Sequence, residues 1–187
     1  KSDDPSLLNQ AFALSADSSP GSGDVTAIND AEMATIANAA IQQWSATLPA
    51  DQKSVLSNLQ FILVTDLPGD AVAWNIGDGI TLVDMNAGGR GWFIDSTPWN
   101  STEFRSSNDG LTARPNSLAD GRIDLLTALV HEIGHTLNLE HSDDGAMQAT
   151  IGTGERYLIN WDTNSTDLRG ALGWSSTGTS QKPAFPE

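Results

Sequence analysis

A chain of 187 residues with 39% hydrophobic content is long enough for one sizeable core, in the composition range of globular rather than disordered proteins. Its 24 acidic against 9 basic residues give a formal charge of −15, which repels a phosphate backbone and excludes nucleic acid as a partner. No apolar run reaches the ~20 residues of a membrane-spanning helix. The absence of cysteine removes disulfides, thiolate metal sites and cysteine nucleophiles together.

In chain order, residues 1–23 end in SADSSPGSG and read as an N-terminal extension or linker, with Lys1 expected to be a processing point. From Asn29 the pattern changes. Met33, Ile36, Ala37, Ala40, Ile41 and Trp44 recur at three- and four-residue steps, which predicts an amphipathic helix with Asp30 as its N-cap and Pro49 beyond its end. NLQFILVTDLPG predicts a buried strand closed by a Pro-Gly turn, and GITLVDMNAGGRGWFID predicts two strands around a glycine-rich turn. Residues 96–116 are rich in Pro, Asn and Ser and are expected to form a long surface loop. A second helix is expected from about Asp120 or Asp124 to about Asn138, with Leu125, Leu129 and Ile133 as its apolar line. The tail beyond Trp174 shows no periodicity.

All three histidines fall within LVHEIGHTLNLEHS, residues 129–142. On a helix, His131 and His135 are about one turn apart and point the same way, so both imidazoles reach a single ion. Zinc–nitrogen bonds of about 2.0–2.1 Å require that closeness. His141 cannot join them on a continuous helix, because ten residues at about 1.5 Å each would carry it ~15 Å along the axis. The chain must therefore break and turn back, and Asn138 is the residue suited to the break, since asparagine tolerates the left-handed conformation of a helix terminus. Three neutral nitrogens leave a fourth position open, the arrangement of a catalytic rather than a structural zinc. Glu132, adjacent to the first ligand, is placed to act as general base on a metal-activated water and then to protonate a leaving amine. Protonation of the imidazoles should release the metal below about pH 5–6.

The pattern HExxHxxNxxH resembles the long motif of the metzincin clan of zinc peptidases, HExxHxxGxxH followed by a methionine turn. It matches at His131, Glu132, His135 and His141, with Asn138 in place of glycine. The spacing HSDDGAM, from His141 to Met147, resembles the matrixin branch. GWFIDSTPWNSTEF with the preceding AGGRG is similar to bacterial, secreted matrixin-like domains.

The resemblance implies an α+β fold with an α/β-type upper lobe: a twisted, mostly parallel sheet, two long helices and a small irregular C-terminal lobe. It implies a catalytic domain at 24–187, divided into an upper lobe of about 24–138 and a lower lobe of about 139–187. Met147 would lie in a tight turn beneath the histidines, with core filling as its plainer role. Ala149 stands where related branches carry an additional tyrosine ligand. Tyr157, the single tyrosine, is expected to pack, or else to line the substrate pocket or assist the oxyanion. No histidine remains for the second, structural zinc of many matrixins, and no cysteine for their latency device. Inhibition by the extension would therefore need another group, such as Asp3, Asp4 or Asp17 over the metal.

Calcium is the second cofactor expectation. Asp84, Asn86 and Asp95 bracket the glycine turn, as turn-forming polar residues or as oxygen ligands, and DTNSTD at 162–167 is a second such cluster. Asn100 and Asn164 begin N-x-[ST] triplets, which matter where the source glycosylates. The expected function is a secreted or cell-surface zinc endopeptidase acting on protein or peptide substrates. It would be monomeric as a domain and could form part of a larger chain. The other reading is a zinc-retaining, non-catalytic binding or adhesion module of a larger exported protein.

Overall fold

The structure is a computed structural model and describes residues 12–20, 25–107, 110–157 and 159. Ten short strands run in chain order: β1 (Ala13–Ala16), β2 (Gln60–Val64), β3 (Ala71–Gly77), β4 (Ile80–Asp84), β5 (Trp92–Phe93), β6 (Phe104–Ser106), β7 (Leu111–Ala113), β8 (Ile123–Asp124), β9 (Thr150–Ile151) and β10 (Glu155–Arg156). Two α-helices, α1 (Asp30–Thr47) and α2 (Leu125–Thr136), and 3-10 turns at Lys53–Asn58 and Gly145–Met147 complete the described elements. The coarse α+β class is as expected, with a mixed rather than a mostly parallel sheet.

The main sheet has the order β2-β4-β3-β1-β9. β2 to β4 and β1 to β9 are parallel, whereas β4 to β3 and β3 to β1 are antiparallel. The antiparallel centre has a local cause. Asp78 and Gly79 take φ of 52° and 75°, the two left-handed residues of a tight hairpin turn, so β3 must return alongside β4. Strand β2 has β4 as its neighbour and leaves Ile62 44% exposed, so it is an edge strand rather than a buried one.

Two further expectations are corrected. Within 1–23, Ala13–Ala16 is no linker but a strand inserted between β3 and β9. Within 96–116, β6 and β7 pair with each other, and β7 pairs with β10. Phe104 of β6 is buried edge-on to Phe93, their ring centres 5.7 Å apart. Both segments are too short to display a period, and each is stabilised by pairing with residues distant in sequence.

The cap of helix α1 lies one residue earlier than expected, at Asn29 rather than Asp30. Asn29 accepts from the backbone of Ala31 and Glu32 while Glu32 returns a bond to the Asn29 N–H, a reciprocal capping box. Its buried face, Met33, Ile36, Ala37, Ala40 and Trp44, packs on α2, and the Trp44 indole N–H donates to the Val130 carbonyl at 2.9 Å. Helix α2 is buried at every position from Leu125 to His135, so its polar residues sit inside the core. Leu14, Ile36, Trp44, Val72, Val83, Leu129 and Ile133 belong to the one large apolar cluster beneath it.

Candidate metal centre

Helix α2 is held at both ends. At its start Asp124 accepts from the Thr127 N–H and hydroxyl, at 3.1 and 2.6 Å, and forms a buried ion pair with Arg156 at 2.7 Å. At its end Asn138 takes φ of +62°. The Asn138 N–H bonds to the His135 carbonyl at 2.9 Å and the Leu139 N–H to the Gly134 carbonyl at 3.0 Å, the paired bonds of a Schellman terminus. The chain therefore leaves the helix axis directly after His135 and carries His141 back towards it.

The three imidazoles meet through their Nε2 atoms. His135 Nε2 lies 3.0 Å from His131 Nε2 and 3.2 Å from His141 Nε2. Each helical histidine turns its other nitrogen to a backbone carbonyl: His131 Nδ1 to Ala146 at 2.9 Å and His135 Nδ1 to Leu139 at 2.8 Å. A carbonyl only accepts, so Nδ1 must carry the proton and Nε2 a lone pair. Burial drives the titration the same way. His131 is pushed well below the usual imidazole range by burial first and by its histidine neighbours after that, against the Ala146 bond. His135 is lowered to about 4 by burial, against the Leu139 bond and with help from His141, and His141 is lowered by burial. Converging lone pairs repel unless a cation lies among them, so the donor set fits a metal ion. Among the described residues this is the group of three or more potential ligands close enough to hold one.

Glu132 is fully buried on the same helix turn. Its Oε1 accepts the Leu14 N–H at 3.2 Å, whereas Oε2 is buried with no hydrogen-bond partner. Burial raises its pKa from 4.5 to about 8, opposed by backbone N–H groups of Leu14 and Asn75. The Asn75 side chain anchors the helix to β3 by donating to the Glu132 carbonyl at 2.9 Å and to the Thr136 hydroxyl at 2.7 Å.

Met147 closes the 3-10 turn Gly145–Met147, whose Ala146 carbonyl holds His131. Its thioether lies against Gly134, where a Cβ would overlap Sδ and also approach the Trp44 ring at 3.5 Å. Gly134 was not singled out from the sequence. Its signal was there: a glycine inside a predicted helix costs about 1 kcal/mol relative to alanine, and close packing is the usual compensation.

The residues considered for calcium have their oxygens engaged by N–H donors. Asp84 Oδ1 accepts from Asn86 and Gly88, its Oδ2 from Leu67, and Asn86 Oδ1 from Gly89. Asp95 accepts from Thr97 and pairs with Arg156 at 2.8 Å. These atoms organise the glycine turn and the Arg156 cluster. DTNSTD, Asn164, Asp3 and Asp4 lie outside the described residues. Asp17 follows β1 with its N–H on the Ile151 carbonyl, the Tyr157 hydroxyl donates to Glu155 at 2.6 Å, and Asn100 accepts from Thr102 in its own turn. Phe12 and Leu14, which touch His135 and Glu132, carried no signal for the site in the sequence.

Comparison with protein-family models, with curated proteins and with solved structures found no match for this chain.

Proposed function

We propose that the chain is a zinc-dependent endopeptidase of the metzincin type, with His131, His135 and His141 as ligands and Glu132 as general base. The observation that supports it best is the pairing of three lone-pair nitrogens with a buried, half-satisfied carboxylate on the same turn of α2. A structural site needs no such carboxylate, and the stability that burying one half-satisfied costs is explained by a role in the chemistry. Zinc held there supplies Lewis acidity, lowering the pKa of water towards ~7 and polarising a carbonyl.

The protein's own part is proton handling and positioning. Ionised, Glu132 would take a proton from the attacking water. The same group then delivers that proton to the leaving nitrogen. The Nδ1–carbonyl bonds of His131 and His135 hold both rings in the ligating tautomer throughout. Met147 against Gly134 supports the turn that presents the Ala146 carbonyl.

Glu132→Ala tests the reading. The variant is expected to retain one metal per chain by elemental analysis and to lose casein hydrolysis by at least about 100-fold. Equal hydrolysis by both proteins would remove the catalytic claim. The non-catalytic binding module draws on one observation, that β1 already fills the strand position beside Glu132. Metal retention with no hydrolysis by either protein would favour it.

A further inference from the structure

Strands β3 and β9 do not pair with each other; each pairs with β1, antiparallel on one side and parallel on the other. Adjacent strands lie about 4.8 Å apart, so without β1 the sheet would have a slot one extended chain wide. The bonds across that slot keep register on the β9 side, whereas on the β3 side the register shifts between Leu14 and Ser15. Ser15 and Asp17 donate to the carbonyls of Ala149 and Ile151 at 3.0 and 3.1 Å, and Ala16 donates to Asp70 at 2.8 Å. Arg90 closes the far end by donating to the Ser18 carbonyl while paired with Asp70 at 2.8 Å.

The slot runs past the metal centre. The Phe12 ring stands edge-on to His135, with centres 5.0 Å apart, and the Leu14 N–H donates to Glu132 at 3.2 Å. Between these two contacts lies the peptide unit joining Ala13 to Leu14. A leaving nitrogen must be within reach of the group that protonates it, and Leu14 N is the nitrogen found there. The Leu14 side chain is fully buried and Ala13 and Ala16 nearly so, whereas Ser15 is only half-buried. Leu14 enters the large apolar cluster and Ala13 a separate one with Leu67 and Ala71, so successive side chains go to opposite faces, as in an extended peptide seated in a groove.

We propose that β1 is a substrate-like strand held in cis in the peptide cleft, and that Ala13–Leu14 is the first bond this site hydrolyses. The inference rests on the peptidase reading. The oxygen of water bonds to the Ala13 carbonyl carbon and its proton passes to Glu132. The C–N bond then breaks, and Glu132 returns the proton to Leu14 N, leaving an Ala13 carboxylate and a Leu14 amine. The segment beginning at Leu14, a free end held by its ladder bonds, its buried Leu14 and Ala16 side chains and the Arg90–Ser18 bond, then exchanges with peptides in trans. Those peptides are extended, with a leucine-sized apolar residue directly after the cut and small residues following.

The zinc-loaded, full-length protein tests this by intact mass and N-terminal sequencing. A new terminus at Leu14 is expected in the wild type and not in Glu132→Ala. Occupancy is read separately, without catalysis, in a Glu132→Gln background. A labelled peptide of residues 12–18 should bind at least ten-fold more tightly after Leu14→Arg expels the strand. In the active background the same substitution should raise initial casein hydrolysis. Equal peptide binding with and without Leu14→Arg, or binding to neither, overturns the proposal. So does unfolding by both Leu14→Arg and Ser15→Pro, the latter removing the N–H given to Ala149, because β1 would then be structural. Casein hydrolysis with Ala13–Leu14 intact overturns it while leaving the peptidase reading standing. Loss of all hydrolysis, with peptide binding still gated by β1, strikes the peptidase reading and self-cleavage while preserving the occupied cleft.

Discussion

At Asn138 a single backbone angle, φ of +62°, decides whether the third imidazole reaches the other two. The left-handed region costs most side chains about 1–2 kcal/mol, asparagine less and glycine nothing. Asn138→Gly is therefore expected to leave zinc affinity within about 3-fold and to hold or slightly raise thermal stability. Asn138→Val, branched at Cβ, should cost about 1–3 kcal/mol and weaken zinc binding measurably in a competition titration. Unchanged affinity in the valine variant would mean that the reversal does not depend on this residue. This residue was legible in the sequence because the requirement is local: the spacing of the histidines demands a break, and one residue in the interval suits it. The partner of Glu132 was not legible, since Leu14 lies 118 positions away.

Helix α2 owes its position to elements on both sides. Arg156 of β10 is 1% exposed and joins Asp124, the N-cap of α2, to Asp95, with its guanidinium carbon 4.3 Å from the Phe104 ring centre. Burial alone would lower its pKa, but Asp124 first and then Asp95 more than offset that and raise it. Removing one member leaves the others buried without a counter-charge. Arg156→Met should cost about 3–5 kcal/mol, and adding Asp95→Asn should recover part of the loss. Denaturant midpoints measure both, and a loss under 1 kcal/mol for the single change would show that water reaches the carboxylates. Since Asp124 caps the helix that bears the histidines, zinc affinity should fall along with stability. Helices α1 and α2 could be read from period and caps, which act within one turn. Strands β3, β6 and β7 could not, being short segments paired on one or both edges with partners the local pattern does not name.

Over the whole molecule, burial sets the pH at which the centre fails. A free imidazole titrates near 6.5, but His135 in the fold titrates at about 4 and His131 is lowered as well, with burial the largest cause in both. A lowered histidine pKa keeps the ligating form to more acidic pH, so protons compete with the metal nearer pH 4 than the pH 5–6 expected from exposed side chains. Zinc occupancy should be full above pH 6.5 and should decline as pH falls through about 4, followed by a chromophoric chelator that captures released ion. Half-release at pH 6 or above would mean that the imidazoles are solvated. Among the described residues no helix is long and apolar enough to cross a membrane.

The sequence by itself determined the three histidines that come close enough to hold a metal ion, the carboxylate beside them, the helix that spaces them and the residue that ends it. Each depends on separations of ten residues or fewer, where helix geometry is rigid enough to convert spacing into position. Only the tertiary structure decided the mixed sheet, the closure of Met147 on Gly134, the Arg156 cluster and the entry of β1 between β3 and β9 beside Glu132. Those depend on which distant edges and faces find one another, and that choice is made by burial and hydrogen-bond completion summed over the whole core.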